Sequence, residues 1–302
     1  MLNLSFLKDS KFNRLGNVDT LKVLSAHIKN KRVNPFVGAG MSIEIYGSWG
    51  SALERIKEGH LSVQEDKGVQ KLIDGFYYED AAEMISDKLG VTSYRDQLVA
   101  AFGTSLITDE SLRRMTVKHL PRIFRESLVV TTNFDKVLER TFQKENYTFE
   151  EKVVLQHLTE WQAVHARRGS EHYLIKIHGC VSAPDEVVMT KTSYDELYDK
   201  DSKHMVRLRS ILGGNMLLFL GCSLKEDRTV NLLREVGLGD HYAILEMNGE
   251  VEESAFQQRR RLMSDDLKMH CIWYPKGKHH YVADILKYID AYVADKLPEE
   301  NK

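Results

Sequence analysis

Apolar residues fall along this chain in two rhythms. Val18, Leu21, Leu24 and Ile28 recur at helical spacing and predict a helix from about Val18 to Lys31. That helix runs into the apolar segment Val33-Asn-Pro-Phe-Val37 and then Gly38-Ala-Gly40, a short strand followed by a tight turn. Pro35 cannot donate to a ladder, which makes it awkward in a central strand and leaves the start of that strand open. Between Ser48 and about Leu120 the spacing stays helical, as at Ala81, Met84, Ile85 and Leu89, with no alternating run. This predicts a helical insertion at about residues 50–120.

From Ser127 onward strand-like and helical segments alternate. The strands are expected at Leu128–Val130, Val153–Leu155, Tyr173–Ile177, Met216–Leu220, Tyr242–Leu245 and Met269–Trp273. Helices are expected at Phe134–Gln143, near Thr229–Val236, and from about His280 to Lys296. Alternation of this kind implies an α/β fold: a Rossmann-like, mainly parallel sheet with helices on both faces. No long repeat, low-complexity stretch or linker interrupts it, and a single domain over residues 1–302 is expected.

Ligands of open parallel sheets bind outside the carboxyl ends of the strands. Four of the predicted strands end in a polar or glycine signature at that position. Val37 is followed by Gly38-Ala-Gly40-Met-Ser42, Val130 by Thr131-Thr-Asn-Phe-Asp135, Ile177 by His178-Gly179, and Leu220 by Gly221-Cys-Ser223. Glycines at 38 and 40 permit a sharp turn and bring backbone N–H groups close to a phosphate. Asn133 offers an amide that both donates and accepts, and Asp135 is placed to cap the helix after it. Capping is the alternative for Asn133 as well, but we read it as a chemical group and Asp135 as the cap. His178 should emerge at the rim, where an imidazole with an ordinary pKa of about 6.5 is available to take a proton. For Ser223, phosphate or ribose binding and helix capping remain equal readings. Glu246, at the end of Tyr242–Leu245, is either a ribose acceptor or an exposed loop acid.

Composition narrows the classes. Lys and Arg number 42 against 44 Asp and Glu, for a net charge of -2, so no excess of positive charge drives binding to a nucleic-acid backbone. Arg113-Arg114, Arg167-Arg168 and Arg259–Arg261 read as solvated faces, the last because Glu252, Glu253, Asp265 and Asp266 surround it. No apolar run reaches the roughly 20 residues needed to cross a bilayer, and no secretory leader is read, so a cytoplasmic location is expected. The 3 cysteines, Cys180, Cys222 and Cys271, form no Cys-x-x-Cys hook, so no metal site is expected. A nicotinamide dehydrogenase is disfavoured, because Ile43 stands where the third glycine of that fingerprint belongs.

Gly38-Ala-Gly40-x-Ser42, Thr132-Asn133-x-Asp135, His178-Gly179 and Gly221-x-Ser223 resemble the sirtuin motifs in order and separation. The nearer likeness is to bacterial sirtuin-like NAD hydrolases of antiphage defence, especially the amino-terminal domain of Thoeris-type effectors. Ser48-Trp49, Val187–Tyr194, Phe219–Ser223 and the Phe256–Leu267 helix extend that likeness over nearly the whole chain. Two departures stand out. The four-cysteine zinc module of sirtuin deacylases is missing, and Cys180 occupies a position where the nearer relatives tend to carry an acid.

The resemblance implies NAD+ as substrate, with Asn133 and His178 catalytic, and Gly38, Ala39, Gly40, Ser42, Asp135, Gly221, Ser223 and Glu246 holding the dinucleotide. It implies hydrolysis of the nicotinamide–ribose bond to nicotinamide and ADP-ribose, in a homo-oligomer and beside a HerA-type ATPase or another defence partner. Two alternatives belong to other classes. One is an NAD-dependent deacylase or ADP-ribosyltransferase acting on proteins. The other is a non-catalytic NAD or ADP-ribose-binding regulatory subunit.

Overall fold

The computed structural model describes residues 4–168, 172–224, 228–236, 240–251 and 253–297. Glu252 and the side chains of Arg167 and Arg168 lie outside the described residues. Seven strands form one sheet: β1 (Val33–Val37), β2 (Val129–Thr131), β3 (Glu151–Val154), β4 (Tyr173–Lys176), β5 (Met216–Leu220), β6 (His241–Glu246) and β7 (Met269–Tyr274). Their order is β3-β4-β2-β1-β5-β6-β7 and every pairing is parallel. The sheet is Rossmann-like, as the alternating pattern predicts.

Apart from the edge strand β3, whose one buried residue is Val153, the strands are sandwiched because their successive side chains enter different cores. Val33, Val37, Val129, Leu174, Leu218, Leu220, Ile244 and Ile272 join the core shared with the helices Asn17–Lys29 and His280–Val293. Phe36, Val130, Ile175, Leu217, Phe219, Leu245 and Trp273 join the opposite core, beneath the helices Lys203–Gly213, Arg228–Val236 and Ser254–Arg261. Burial on both faces explains why these strands read as nearly unbroken apolar runs.

Pro35 sits inside β1, opposite Leu218 of β5. Its neighbour two residues on, Val37, turns its carbonyl to β2, where it accepts from the Thr132 N–H at 3.2 Å. Pro35 therefore faces β2 as well, and β2 pairs only with Phe36 and Val37. The missing amide falls just before that ladder begins, so no rung is lost.

Between β1 and β2 the chain is helical, from Trp49–Lys57 through Leu120–Ile123. The middle of this segment builds its own core from Leu53, Ile56, Val69, Ile85, Tyr94 and Leu98. Phe134 and Met189, from loops at the sheet's carboxyl rim, complete that core. The insertion is thus seated on the loop that carries Asn133 and Asp135.

β1 is flanked by β2 on one side and β5 on the other, so the chain reverses direction across the sheet between them. The crevice at that switch point is where a doubly wound sheet places its ligand.

Candidate active site

The loops after β1 and β5 meet at backbone distance. The Gly38 N–H donates to the Leu220 carbonyl at 2.8 Å and the Gly40 N–H to the Gly221 carbonyl at 2.9 Å. A Cβ at Gly40 would lie 2.9 Å from Gly221 Cα, and one at Gly221, where φ is +67°, would lie 2.6 Å from the Met41 nitrogen. Both positions require glycine for clearance, and Gly221 for its left-handed backbone as well. The amides of Gly38 and Gly40 are thus engaged by β5 and its loop. Ala39 and Gly40 form the exposed tip of the turn.

Asn133 is buried, and its side chain does not cap a helix. Its Nδ2 donates to the Gly38 carbonyl at 3.2 Å and to Ser42 Oγ at 3.1 Å. Its own N–H donates to Thr131 Oγ1 at 2.9 Å, while that hydroxyl donates to the Val37 carbonyl at 2.7 Å. The turn after β2 is therefore tied side chain to backbone onto β1. These bonds delay the following helix, which runs Val137–Lys144 rather than starting at Phe134. Asp135 performs the capping task, accepting from the Val137 N–H at 2.8 Å.

Asp135 is fully enclosed. Burial pushes its carboxyl above the usual range, while Lys176, the Val137 amide and the Ser42 hydroxyl pull the other way. Lys176, on β4, donates to the Asp135 carbonyl and pairs with Glu139 at 3.0 Å. Cys180 lies in the same buried polar seam. Burial raises its thiol, but Lys176, Ser182 and Lys136 outweigh burial and leave it below the ordinary value.

His178 leaves the end of β4 and is only 5% exposed. Its turn is locked to the asparagine turn by the Val181 N–H, which donates to the Phe134 carbonyl at 2.8 Å. Both imidazole nitrogens face phenols: Nε2 lies 2.9 Å from the Tyr198 hydroxyl and Nδ1 lies 3.4 Å from that of Tyr194. Burial, reinforced by the Arg228 guanidinium, holds the imidazole down at about 3. It is neutral at any physiological pH.

The phenols are held in turn. Tyr194 lies in the helix Lys191–Leu197 and Tyr198 caps its end, so the i,i+4 spacing stacks their rings, 6.0 Å apart and 11° from parallel. Arg228 lies 5.3 Å and 5.9 Å from the two ring centroids. It also forms ion pairs with Glu79 of the insertion at 2.7 Å and with Asp195 at 2.6 Å.

The structure thus brings Gly38, Gly40, Ser42, Asn133, Asp135 and Gly221 into one contact network, with His178 on the adjoining turn. Ser223 is exposed beside it. Arg259 joins the Ser223 carbonyl, at 2.9 Å, to the Glu246 carbonyl, at 3.1 Å. The Glu246 carboxylate turns the other way, accepting from the Gly277 N–H at 2.6 Å. Tyr194, Tyr198 and Arg228 are not among the site residues that the sequence names; the signals available are the likeness of the segment Val187–Tyr194 and the four-residue spacing of the tyrosines just beyond the histidine turn.

Among the described residues no group of three or more His, Cys, Asp or Glu is placed to hold a metal ion, and no helix is long and apolar enough to cross a membrane.

Residues 127–266 match the SIR2-like domain family. Over 221 residues the chain is 24% identical to the NAD(+) hydrolase ThsA of Bacillus cereus (strain MSX-D12), covering 72% of this chain and 42% of that protein. Over 203 residues it is 23% identical to the NAD(+) hydrolase ThsA of Acinetobacter baumannii (strain 532279), covering 67% of this chain and 38% of that protein. The matched part is thus well under half the length of these relatives.

Proposed function

We propose that this SIR2-like chain hydrolyses NAD+ at the nicotinamide–ribose bond, releasing nicotinamide and ADP-ribose. The observation that carries the reading is the binding of the Asn133 side chain to both the Gly38 carbonyl and the Ser42 hydroxyl at the sheet's switch point, with the His178 turn fastened alongside. The dinucleotide would lie across the loops after β1, β2, β4 and β5. Gly38, Ala39, Gly40, Ser42 and Gly221 would border its phosphates, and Asp135 would brace the floor through Ser42. Ser223 would meet a ribose, and Glu246 would exchange the Gly277 amide for ribose hydroxyls.

Nicotinamide leaves as a neutral molecule, so the chemical demand is for an oriented nucleophile and a proton acceptor beside an oxocarbenium-like ribose carbon. In this reading Asn133 orients the water or ribose hydroxyl and His178 receives the proton. The phosphates of the bound dinucleotide would oppose the field of Arg228 and raise the basicity of the imidazole.

The same reading makes the protein a cytoplasmic, homo-oligomeric defence effector that depletes NAD+, with a HerA-type ATPase or another defence protein as its partner. These statements rest on likeness to the family. Incubation of the purified chain with NAD+, followed by mass analysis, tests the activity. Free nicotinamide and ADP-ribose in equal amounts support hydrolysis, whereas ADP-ribose or an acyl group transferred to protein identifies a transferase. Retained NAD+ binding without turnover identifies a regulatory subunit.

A further inference from the structure

His178 is enclosed, and the hydroxyl of Tyr198 occupies the hydrogen-bonding position of its Nε2 at 2.9 Å. A proton leaving a nucleophile in the cleft reaches that nitrogen in one of two ways: through the Tyr198 hydroxyl, or after the phenol swings aside. The surroundings favour the first. Arg228 lies within 6 Å of both tyrosine rings, and its Nε contacts both Glu79 carboxylate oxygens at 3.2 Å. Its Nη2 bridges Glu79 at 2.7 Å and Asp195 at 2.6 Å. Three separate helices, Tyr78–Leu89, Lys191–Leu197 and Arg228–Val236, are pinned around the phenols by this one guanidinium. Moving Tyr198 would require this network to loosen, whereas a relay requires only that two protons shift.

We infer that Tyr198 is a further catalytic residue, a proton relay between the nucleophilic water and His178; the inference rests on the NAD+ hydrolase reading above. The water oxygen bonds to ribose C1′ as the C1′–nitrogen bond breaks, and the electron pair of that bond leaves with nicotinamide. A proton of the water passes to Tyr198 Oη while the phenolic proton passes to His178 Nε2. Tyrosine ends neutral, the histidine ends as imidazolium, and the imidazolium later returns its proton to solvent. The relay fixes a tautomer: Nε2 accepts from Tyr198, so the imidazole proton resides on Nδ1 and points to Tyr194.

The test compares Tyr198→Phe with Tyr194→Phe, using nicotinamide release, thermal melting and the 15N resonances of His178. The relay predicts that Tyr198→Phe melts with the wild type and keeps its KM but loses about 10²-fold or more in kcat, the range of general acid–base assistance. Tyr194→Phe removes the hydroxyl 3.4 Å from Nδ1 but leaves the Nε2 contact in place, and should lose less in kcat than Tyr198→Phe. A Tyr198→Phe rate equal to the wild type would make the phenol a bystander, and a faster one would make it a gate; either overturns the relay. The tautomer is read without turnover. An Nδ1–H imidazole supports the relay and an Nε2–H imidazole refutes it, even if the wild-type chain releases no nicotinamide, a result that would instead defeat the hydrolase reading.

Discussion

Replacing Gly179 by alanine tests whether the turn that presents His178 is held as described. Gly179 has φ of +82°, and an added Cβ would lie 2.1 Å from the Glu186 carbonyl oxygen and 2.7 Å from its carbon. The positive φ alone costs a residue with a Cβ roughly 1–2 kcal/mol. Relieving the overlap adds roughly 1–3 kcal/mol, because the obstructing atoms are backbone and cannot rotate away as a side chain does. That backbone is also fastened to the site, since the Val188 N–H donates to the His178 carbonyl at 3.0 Å. Gly179→Ala should therefore lose about 2–5 kcal/mol in a urea titration. Gly277→Ala supplies the control: its φ is +73°, with nothing within 4 Å of the added atom. Its loss should be confined to the backbone cost of about 1–2 kcal/mol. Nicotinamide release should fall in the first variant even under conditions where it is folded, and hold in the second. Equal losses in the two, or a Gly179→Ala protein as stable as the wild type, would refute the packing of this turn against Glu186.

Other consequences follow from burial and connectivity. His178 is held at about 3, and His119 and His241 at about 4, each chiefly by burial. Their unfolded value is about 6.5, so between the two the unfolded chain binds more protons. Stability should therefore be complete above pH 6.5 and fall as pH drops toward 4, by up to about 1.4 kcal/mol per pH unit for each group. Urea midpoints across that range check this, and a His241→Gln variant should flatten the slope; an unchanged midpoint from pH 7 to 4 would contradict it. Phe134→Ala empties a position where the insertion's core meets the asparagine turn. It should cost about 3–5 kcal/mol and also slow nicotinamide release, whereas a stability loss with full activity would separate the insertion from the site.

The sheet, and the meeting of the loops that leave β1, β2 and β5, were both legible in the sequence. Met216–Leu220 and Tyr242–Leu245 are buried on both faces, so their unbroken apolar character appears directly, and polar loops at their carboxyl ends follow from the topology. Pro35 resisted reading because its tolerance depends on where β2 begins to pair, a fact of tertiary register. The helix after Asn133 starts late because Thr131 bonds across to β1 and Asn133 to the loop that follows it, while Asp135 accepts from the Val137 N–H, which local propensity does not encode. The glycines were read as phosphate donors, but two of the amides are engaged, and what the glycines supply is room for two loops to touch. Arg228 was invisible for a different reason. Its partner Glu79 is 149 residues away, and nothing local in either segment announces the pair.

The most direct test of the account is quantitation of nicotinamide and ADP-ribose released from NAD+ by the purified chain, with Asn133→Ala and His178→Ala measured beside it. The account predicts equimolar products from the wild type and near-abolition in Asn133→Ala with the fold intact. For His178→Ala it predicts a loss of roughly 10²- to 10⁴-fold with dinucleotide binding retained. Wild-type turnover in either variant would contradict it.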